Sequence, residues 1–340
     1  MKASLAISKY FHGNRIFDSG SSRDNCNERF IELRNLLNEQ GIDLSTEDIN
    51  PLDESSKIHI HLDADKKKLK QSKDAGSHSI LVISESPIIC KANQDKKARA
   101  LADKIFTWET NAIESHASWL GCGCSFERVP KEINLENTKM KRDLCIIIGN
   151  KKSKEDKELY TLRNKAIEYF QGSSISFDLY GMGWQQRAFD GLLRPLNKLE
   201  IAQKWNYRQP ESYRGTIKSK YKTLQNYRFC LAFENASSNN GYVSEKIFDA
   251  MFNGCVPIYA GAEDIEDTIP KNVFINANHL QFEEVREIIQ TMTKEDYRKY
   301  IQAINQYKSV FMNSTFYFKH WARKIADHIS EHLSKTYSIP

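Results

Sequence analysis

Between Leu231 and Gly261 the chain reads LAFENASSNNGYVSEKIFDAMFNGCVPIYAG, which brings an amide (Asn235), a phenol (Tyr242), a hydroxyl (Ser244), a carboxylate (Glu245) and an ammonium (Lys246) into one short stretch. Lys246 can neutralise a phosphate, and Glu245 is an acceptor suited to ribose or sugar hydroxyls. Asn235 offers hydrogen bonds and Tyr242 a lid or a stacking face. This set suits a phosphorylated sugar better than a lone structural ion pair, which would not need both charges beside a glycine-containing polar loop. The plain alternative is a capped surface helix with charges in its first turn.

The elements that must position these groups can be read around them. The apolar run Phe229 to Phe233 predicts a strand ending at Glu234 and Asn235. Ala236 to Gly241 is too small and polar to be buried and predicts a loop. Ser244 then stands as a helix N-cap, Ile247, Ala250 and Met251 follow at helical spacing, and Asn253-Gly254 supplies a stop. Val256 to Tyr259 resumes as a short buried strand. In such a β-loop-α-β unit, ligands sit at the carboxyl end of the strand, and the helix N-terminus attracts phosphate.

The pattern FEN, then GYVSEK, then DA, G and VPIYAG resembles the signature of glycosyltransferase family 10, the α-1,3/4-fucosyltransferases. The similarity extends upstream. YTLRNKAIEYF resembles the helix with a phosphate-binding arginine, here Arg163, and ISFDLYGMGW the strand and glycine turn after it. LVISESPII resembles the strand that ends in the catalytic glutamate, here Glu85, and KIFTW the segment that follows. The resemblance covers most of the chain, strongly from Arg163 to Asn276 and thinly before Lys141. The chain departs from the pattern at Ala236, where the family carries a hydroxyl residue, and at Ser244, where it carries Thr. Ser keeps the capping oxygen, so only the loss at Ala236 bears on donor contacts.

At 340 residues the chain is long enough for two domains, each with its own core. Hydrophobic residues make up 40% and charged residues 27%, the balance of a soluble globular protein. No apolar run approaches the ~18 residues of a membrane span, and MKASLAISKYF is too short and polar-flanked for a signal peptide. The odd count of seven cysteines, three of them in or beside apolar runs at Cys145, Cys230 and Cys255, suits reduced thiols in a cytoplasm. A net charge of +5 comes in short mixed clusters, without the basic stripe and interleaved aromatics of a nucleic-acid binder.

Two alternations of strand and helix are expected. Leu5 to Ile7, Ile58 to Leu62, Ile80 to Ile83 and Lys104 to Trp108 read as strands of the first, with a helix over Asn27 to Gln40. Lys131 to Arg142 reads as a linker. Leu144 to Ile148, Ile175 to Tyr180, the unit above and Val273 to Ile275 belong to the second, with a helix through Arg163. The expected fold is α/β: two Rossmann-like domains facing across a cleft, the GT-B arrangement, which the resemblance also implies. Its parts are an acceptor-binding domain over 1–135, a GDP-sugar donor domain over 141–315, and a C-terminal amphipathic helix over 316–340. Trp321, Ile325, Ile329 and Leu333 give that helix one apolar stripe, expected to dock on the body, crossing back to the first domain. Its basic residues leave peripheral membrane contact as a second reading, which Asp327 and Glu331 weaken.

Asp63-Ala64-Asp65 follows an apolar strand in the manner of a metal-diphosphate site, and His59 and His61 share the face of Asp63. The favoured reading is plainer: Ile58, Ile60 and Leu62 pack inward from an edge-facing strand, the histidines face out, and Asp63 to Lys70 is a charged turn. Cys122-Gly-Cys124 lacks a second pair for zinc and reads as a turn.

The chemistry implied is sugar transfer from a nucleotide diphosphate, which needs a base for the acceptor hydroxyl and an anion site for the leaving group. The resemblance gives Glu85 as catalytic base and Arg163, Asn235, Tyr242, Glu245 and Lys246 as donor-binding residues. The expected enzyme is an inverting fucosyltransferase with GDP-fucose as donor, needing no metal or other cofactor. Its acceptor would be a glycan or glycoconjugate hydroxyl, on an N-acetylglucosamine-type residue at an α-1,3 linkage. The expected location is cytoplasmic or peripheral at an inner membrane surface, with no nucleic-acid partner. The alternatives are a metal-dependent transferase built on Asp63 and Asp65, and a non-catalytic glycan- or sugar-nucleotide-binding protein.

Overall fold

The computed structural model, which describes residues 1–125, 132–133, 141–184, 209–238 and 241–337, contains two wholly parallel sheets. The first is built from β1 Lys2–Ala6, β2 Asp43–Thr46, β3 Ile58–Leu62, β4 His78–Ile83, β5 Lys104–Thr107 and β6 Ala117–Trp119, in the order β2-β1-β3-β4-β5-β6. The second contains β7 Arg142–Ile147, β8 Phe177–Tyr180, β9 Tyr227–Ser238, β10 Val256–Ala262 and β11 Ile275–Asn276, in the order β11-β10-β9-β7-β8. Counted from its own first strand, each sheet begins 2-1-3-4-5, so each reverses direction beside its first strand. That switch point is where doubly wound sheets open a ligand crevice.

Strands buried on both faces read as continuous apolar runs, and alternation sends successive residues to opposite layers. Ile80 and Val82 join the core beneath α1 (Glu28–Glu39), while Leu81 and Ile83 join the layer beneath α2 (Lys66–Asp74). In the second sheet, α3 (Tyr160–Gln171) and α4 (Glu245–Phe252) contribute Ala166, Ile167, Phe170, Ile247 and Phe248 to its main core. The C-terminal helix, α5 (Phe318–Tyr337), returns to the first sheet. Trp321, Ile325 and Ile329 are buried with Leu33 and Leu37 of α1, and the Trp321 ring meets Phe30 edge-on at 5.5 Å. Each such side chain contributes roughly 1.5–3 kcal/mol on burial, enough to tie the chain's end to its beginning. Among the described residues no helix is long and apolar enough to cross a membrane.

Several local expectations are corrected. β3 is an interior strand, not an edge, so His59 and His61 do not face out: both are buried against α2, where the Ser72 hydroxyl meets His59 Nδ1 at 2.8 Å and His61 Nε2 at 2.9 Å. A parallel sheet is covered on both faces, which left no solvent side for them. Asp63 to Lys70 is not a charged turn, because Asp65 caps α2 by accepting from the Lys67 and Lys68 amides. β9 does not stop at Glu234 but runs on to Ser238, and Ala236 is buried. Residues 157–159 pair with this extension: Leu159 N–H donates to Asn235 O and Ser237 N–H to Lys157 O. β2 and β6 escaped notice because they are short and β6 is only half-buried. Most of the expected linker lies outside the described residues, although Ile133 N–H donates to Asn305 Oδ1 and Arg142 already opens β7. At Cys122-Gly-Cys124 the turn is present, with Gly123 at φ +61° and both thiols free.

Where α5 crosses the start of β4, three histidines meet. His78 Nε2 lies 3.1 Å from His328 Nε2, and the His78 and His332 rings stack at 3.7 Å. Burial first, then His332 and His328, push the His78 pKa down to about 4 against the opposing pull of Asp103. Burial and Lys104 also lower His328, against Glu331. With folded pKa values below the unfolded ones, the unfolded chain takes up protons first as pH falls, so stability is lost between about pH 6.5 and 4. The expected result is a fall of about 2–3 kcal/mol on acidification through that window, read from melting curves. His78→Gln should flatten the dependence.

Candidate active site

The carboxyl ends of the two sheets face a shared cavity of about 430 Å³. Glu85, Arg163, Asn235, Tyr242, Glu245 and Lys246 all line it. Ser84 and Glu85 follow β4, Gly149 and Lys151 follow β7, Gly181 follows β8, and Asn235 stands on the extension of β9. Gly181 cannot be replaced simply: it sits at φ +136°, and a Cβ there would fall 1.8 Å from the Ile148 carbonyl oxygen.

The N-terminus of α4 is built around a carboxylate. Glu234 is fully buried and accepts from Ser244 N–H at 2.8 Å and from the Ser244 hydroxyl at 2.9 and 2.7 Å. Lys246 Nζ donates to Glu234 Oε2 at 3.1 Å and to Ser244 Oγ at 2.7 Å. Two of its three protons are thus committed, leaving one directed donor for a ligand. Burial opposes the Lys246 charge, but Glu234 and Glu245 outweigh it and raise the pKa, so the ammonium stays charged. A second cation stands nearby, since Lys220 Nζ lies 2.7 Å from Asp249 Oδ2 and 3.5 Å from Glu245 Oε1.

Arg163 is buried in α3, not on a helix surface. Its Nη2 donates to the Phe233 carbonyl at 2.6 Å and to Asn235 Oδ1 at 3.0 Å, so it fixes the end of β9 and turns Asn235 into the cavity wall. Arg163 Nε has no partner among the described residues, and a buried guanidinium N–H of this kind is a ready donor for an anion.

Glu85 brings the opposite charge from the first sheet. It is partly buried, and burial, then Asp63 and Glu245, raise its pKa against Lys246 and Arg29. A carboxylate tuned upward in a cleft suits general-base work.

Tyr242 is less available than its expected role as a lid or stacking contact requires. It is buried, its ring meets Trp108 edge-on at 5.0 Å, and it belongs to the core layer of the first sheet. It therefore joins the two halves as a wedge. Gly241 beside it, at φ +82°, admits the approach: a Cβ would lie 2.6 Å from Thr110 Cγ2. Asp264 clasps both sides, accepting from Thr110 Oγ1 and Gly241 N–H at 3.0 Å each. Ala236 lines a second cavity of about 550 Å³ with Ser86 and Trp108 rather than the one lined by Glu85, Arg163 and Lys246.

Sequence reasoning passed over Arg29, Lys220 and Asp249 and treated Glu234 as a strand end. Arg29 sits in the first turn of α1 with no chemical motif around it, yet its Nη1 donates to the Cys122 carbonyl at 2.6 Å at the cavity wall. Lys220 carries no local pattern. Glu234 had a signal, an acid closing an apolar run ten residues before a capping serine.

The family model described as "Glycosyltransferase family 10 (fucosyltransferase) C-term" matches residues 138–338. An α-(1,3)-fucosyltransferase of Helicobacter pylori is 36% identical over 85 residues, which is 25% of this chain and 16% of that protein. A GDP-fucose protein O-fucosyltransferase 3 of Gallus gallus is 34% identical over 86 residues, 24% of this chain and 18% of that protein. The aligned stretches thus span under a fifth of these two relatives. A crystal structure of an α1,3-fucosyltransferase with GDP-fucose superimposes with a TM-score of 0.51 at 15% identity, covering 88% of this chain and 81% of that one. At that identity the likeness establishes the fold, two facing α/β domains of the GT-B kind.

Proposed function

The chain belongs to glycosyltransferase family 10, and from that premise we propose that it is an inverting, metal-independent fucosyltransferase acting on GDP-fucose. The carrying observation is one cavity that joins a carboxylate from the first sheet, Glu85, to cationic groups from the second, Arg163 and Lys246. Glu85 takes the proton of the acceptor hydroxyl as that oxygen bonds to the anomeric carbon. The bond from that carbon to the phosphate oxygen breaks, and GDP leaves with one more negative charge. A single base on the face opposite the leaving group gives inversion. Arg163, Lys246 and the N-terminus of α4 meet the departing charge, the work a bridging cation does in other transferases. Glu245, at the cavity rim beside Lys220, is placed to accept from ribose or sugar hydroxyls.

The carboxylates of the D-x-D segment are otherwise engaged, Asp65 in capping α2 and Asp63 in backbone bonds near Glu85. The acceptor is a glycan hydroxyl, on an N-acetylglucosamine-type residue at an α-1,3 linkage. Of the two relatives, one is named for its linkage and the other for a protein acceptor, so the donor side of this reading is the better supported.

Thermal stability against GDP- and UDP-sugars in EDTA tests it. GDP and GDP-fucose should raise stability by about 2.7 kcal/mol at 100 times the dissociation constant, with UDP-sugars inert. A shift seen only with UDP-sugars and restored metal would transfer the diphosphate site elsewhere.

A further inference from the structure

We propose that Asp63 is a positioning residue for the reaction, its carboxylate fixing the backbone from which the Glu85 side chain reaches the cleft. The inference rests on Glu85 being the base, and it gives the D-x-D segment a role in this fold.

Asp63 Oδ1 accepts three hydrogen bonds, from Ser84 N–H at 2.8 Å, Glu85 N–H at 2.9 Å and Asn93 Nδ2 at 2.9 Å. Asn93 is buried and completes the clamp. Its second amide proton goes to the Glu85 carbonyl at 2.9 Å, and its Oδ1 accepts from Ala64 N–H at 2.8 Å. Both backbone groups of Glu85 are therefore held by two side chains that also hold each other. Asp63 is itself tied to β4, since its N–H donates to the Val82 carbonyl at 2.9 Å.

This arrangement is held at a backbone cost. Asp63 adopts φ +61°, a left-handed conformation that a glycine would take without strain, and Asp and Asn are the side chains that tolerate it best. A turn needing only that conformation has no use for a carboxylate. Here the carboxylate receives two consecutive amides, and one of them belongs to the candidate base. Reacting groups must be held within a fraction of an ångström, and a misplacement of about 1 Å can cost a hundredfold in rate.

Asp63 also acts on Glu85 through its charge. The charged groups that act on Glu85 are Asp63 from the turn after β3, Glu245 and Lys246 from α4, and Arg29 from α1, and the titratable Cys90 thiol and the Tyr160 and Tyr242 phenols share its field. The two acids favour protonated Glu85 and the two cations favour the ionised form, so the Asp63 charge strengthens the base it positions.

The test uses the full chain, with Asp63→Asn and Asp63→Ala measured beside Glu85→Gln for kcat against pH with GDP-fucose and an N-acetylglucosaminide, for GDP affinity and for Tm. Asp63→Asn keeps an accepting oxygen and tolerates φ +61° but removes the charge, so the acid limb of the rate profile should move to lower pH with GDP affinity unchanged. Asp63→Ala should lower kcat at least about tenfold, again sparing GDP affinity. If Asp63→Ala does not fold, the Asp63→Asn profile decides. A profile and kcat in Asp63→Asn indistinguishable from the parent overturn the inference, as does a parallel loss of kcat and GDP affinity in Asp63→Ala, which marks general loosening. Should Glu85→Gln turn over normally, the base assignment itself fails. An inactive Glu85→Gln beside an unmoved Asp63→Asn profile rejects only the role of Asp63.

Discussion

Glu85→Gln is expected to lower kcat by about 10²–10⁴ while leaving GDP affinity unchanged. The amide has nearly the shape of the carboxylate and can occupy the same place after β4, but it cannot accept a proton from the acceptor hydroxyl. Donor binding should survive because the proposed phosphate ligands, Arg163 and Lys246, belong to the other sheet, and Lys246 acts on Glu85 through the field in the cleft. Burial, Asp63 and Glu245 raise the Glu85 pKa against Lys246 and Arg29, so the proposed base gives up its proton at a higher pH than a free glutamate. In the parent protein the rate should therefore climb with pH through that raised value, and the limb should vanish in the glutamine variant. Steady-state rates across pH, paired with calorimetric GDP binding, check both parts. Turnover within a few-fold of the parent would mean that another group takes the proton.

The proposed base and the proposed anion site belong to different sheets, so catalysis by this route depends on what holds the sheets together. Contacts that cross between them beside the cavity include Trp108 against Tyr242, Asp264 between Thr110 and Gly241, Lys220 N–H to Asp24 Oδ1 at 3.2 Å, and Lys91 with Glu155 at 2.6 Å. The last is exposed and contributes little by itself. The aromatic contact is buried and sits one residue from the glycine that allows the close approach. The C-terminal helix α5 carries the end of the chain back onto α1 and the first sheet. The two halves are thus joined by a wedge beside the cavity and by a strap at the end of the chain.

How far the sequence foretold this follows from where its signals are local. Ile58–Leu62 matches its predicted strand residue for residue, because Ile58, Ile60 and Leu62 recur at every second position between the charged Lys57 and Asp63. The helix after Ser244 was equally legible, since cap, spacing and stop lie within one turn or two of each other. The six candidate residues share one cavity, which local chemistry and family resemblance together placed. What could not be read are the partners supplied from afar. Ala236 looked too small and polar for burial until residues 157–159 paired with it. Tyr242 looked free to meet a ligand until Trp108, far away in sequence, closed on it. His59 and His61 looked solvent-facing because nothing nearby in sequence announces that α2 will lie over them with Ser72 between. Lys246 looked like a dedicated phosphate ligand, and its commitment to Glu234 appears only when the strand end and the helix start are brought together.

That commitment makes the Glu234–Lys246 pair the place where folding and donor binding can be separated. Lys246→Ala leaves the Glu234 carboxylate, which has no exposed surface, without its ion partner. Removing one member of a buried pair costs about 3–5 kcal/mol, because the other charge is stranded in a poor solvent. The variant should therefore melt earlier and bind GDP weakly, an ambiguous pair of losses. Adding Glu234→Gln removes the stranded charge while keeping an oxygen for the Ser244 hydroxyl and amide, so the double variant should regain most of the lost stability. GDP affinity should not return with it, since no ammonium remains at the start of α4. Glu234→Gln alone frees Lys246 from its partner and should weaken GDP binding less than either Lys246 variant, through loss of position rather than loss of charge. The coupling between the two sites is read from a four-member cycle of Tm and GDP dissociation constants. If Lys246→Ala keeps parental GDP affinity while losing stability, Lys246 is a structural counterion to Glu234, and Arg163 and Lys220 must hold the diphosphate without it.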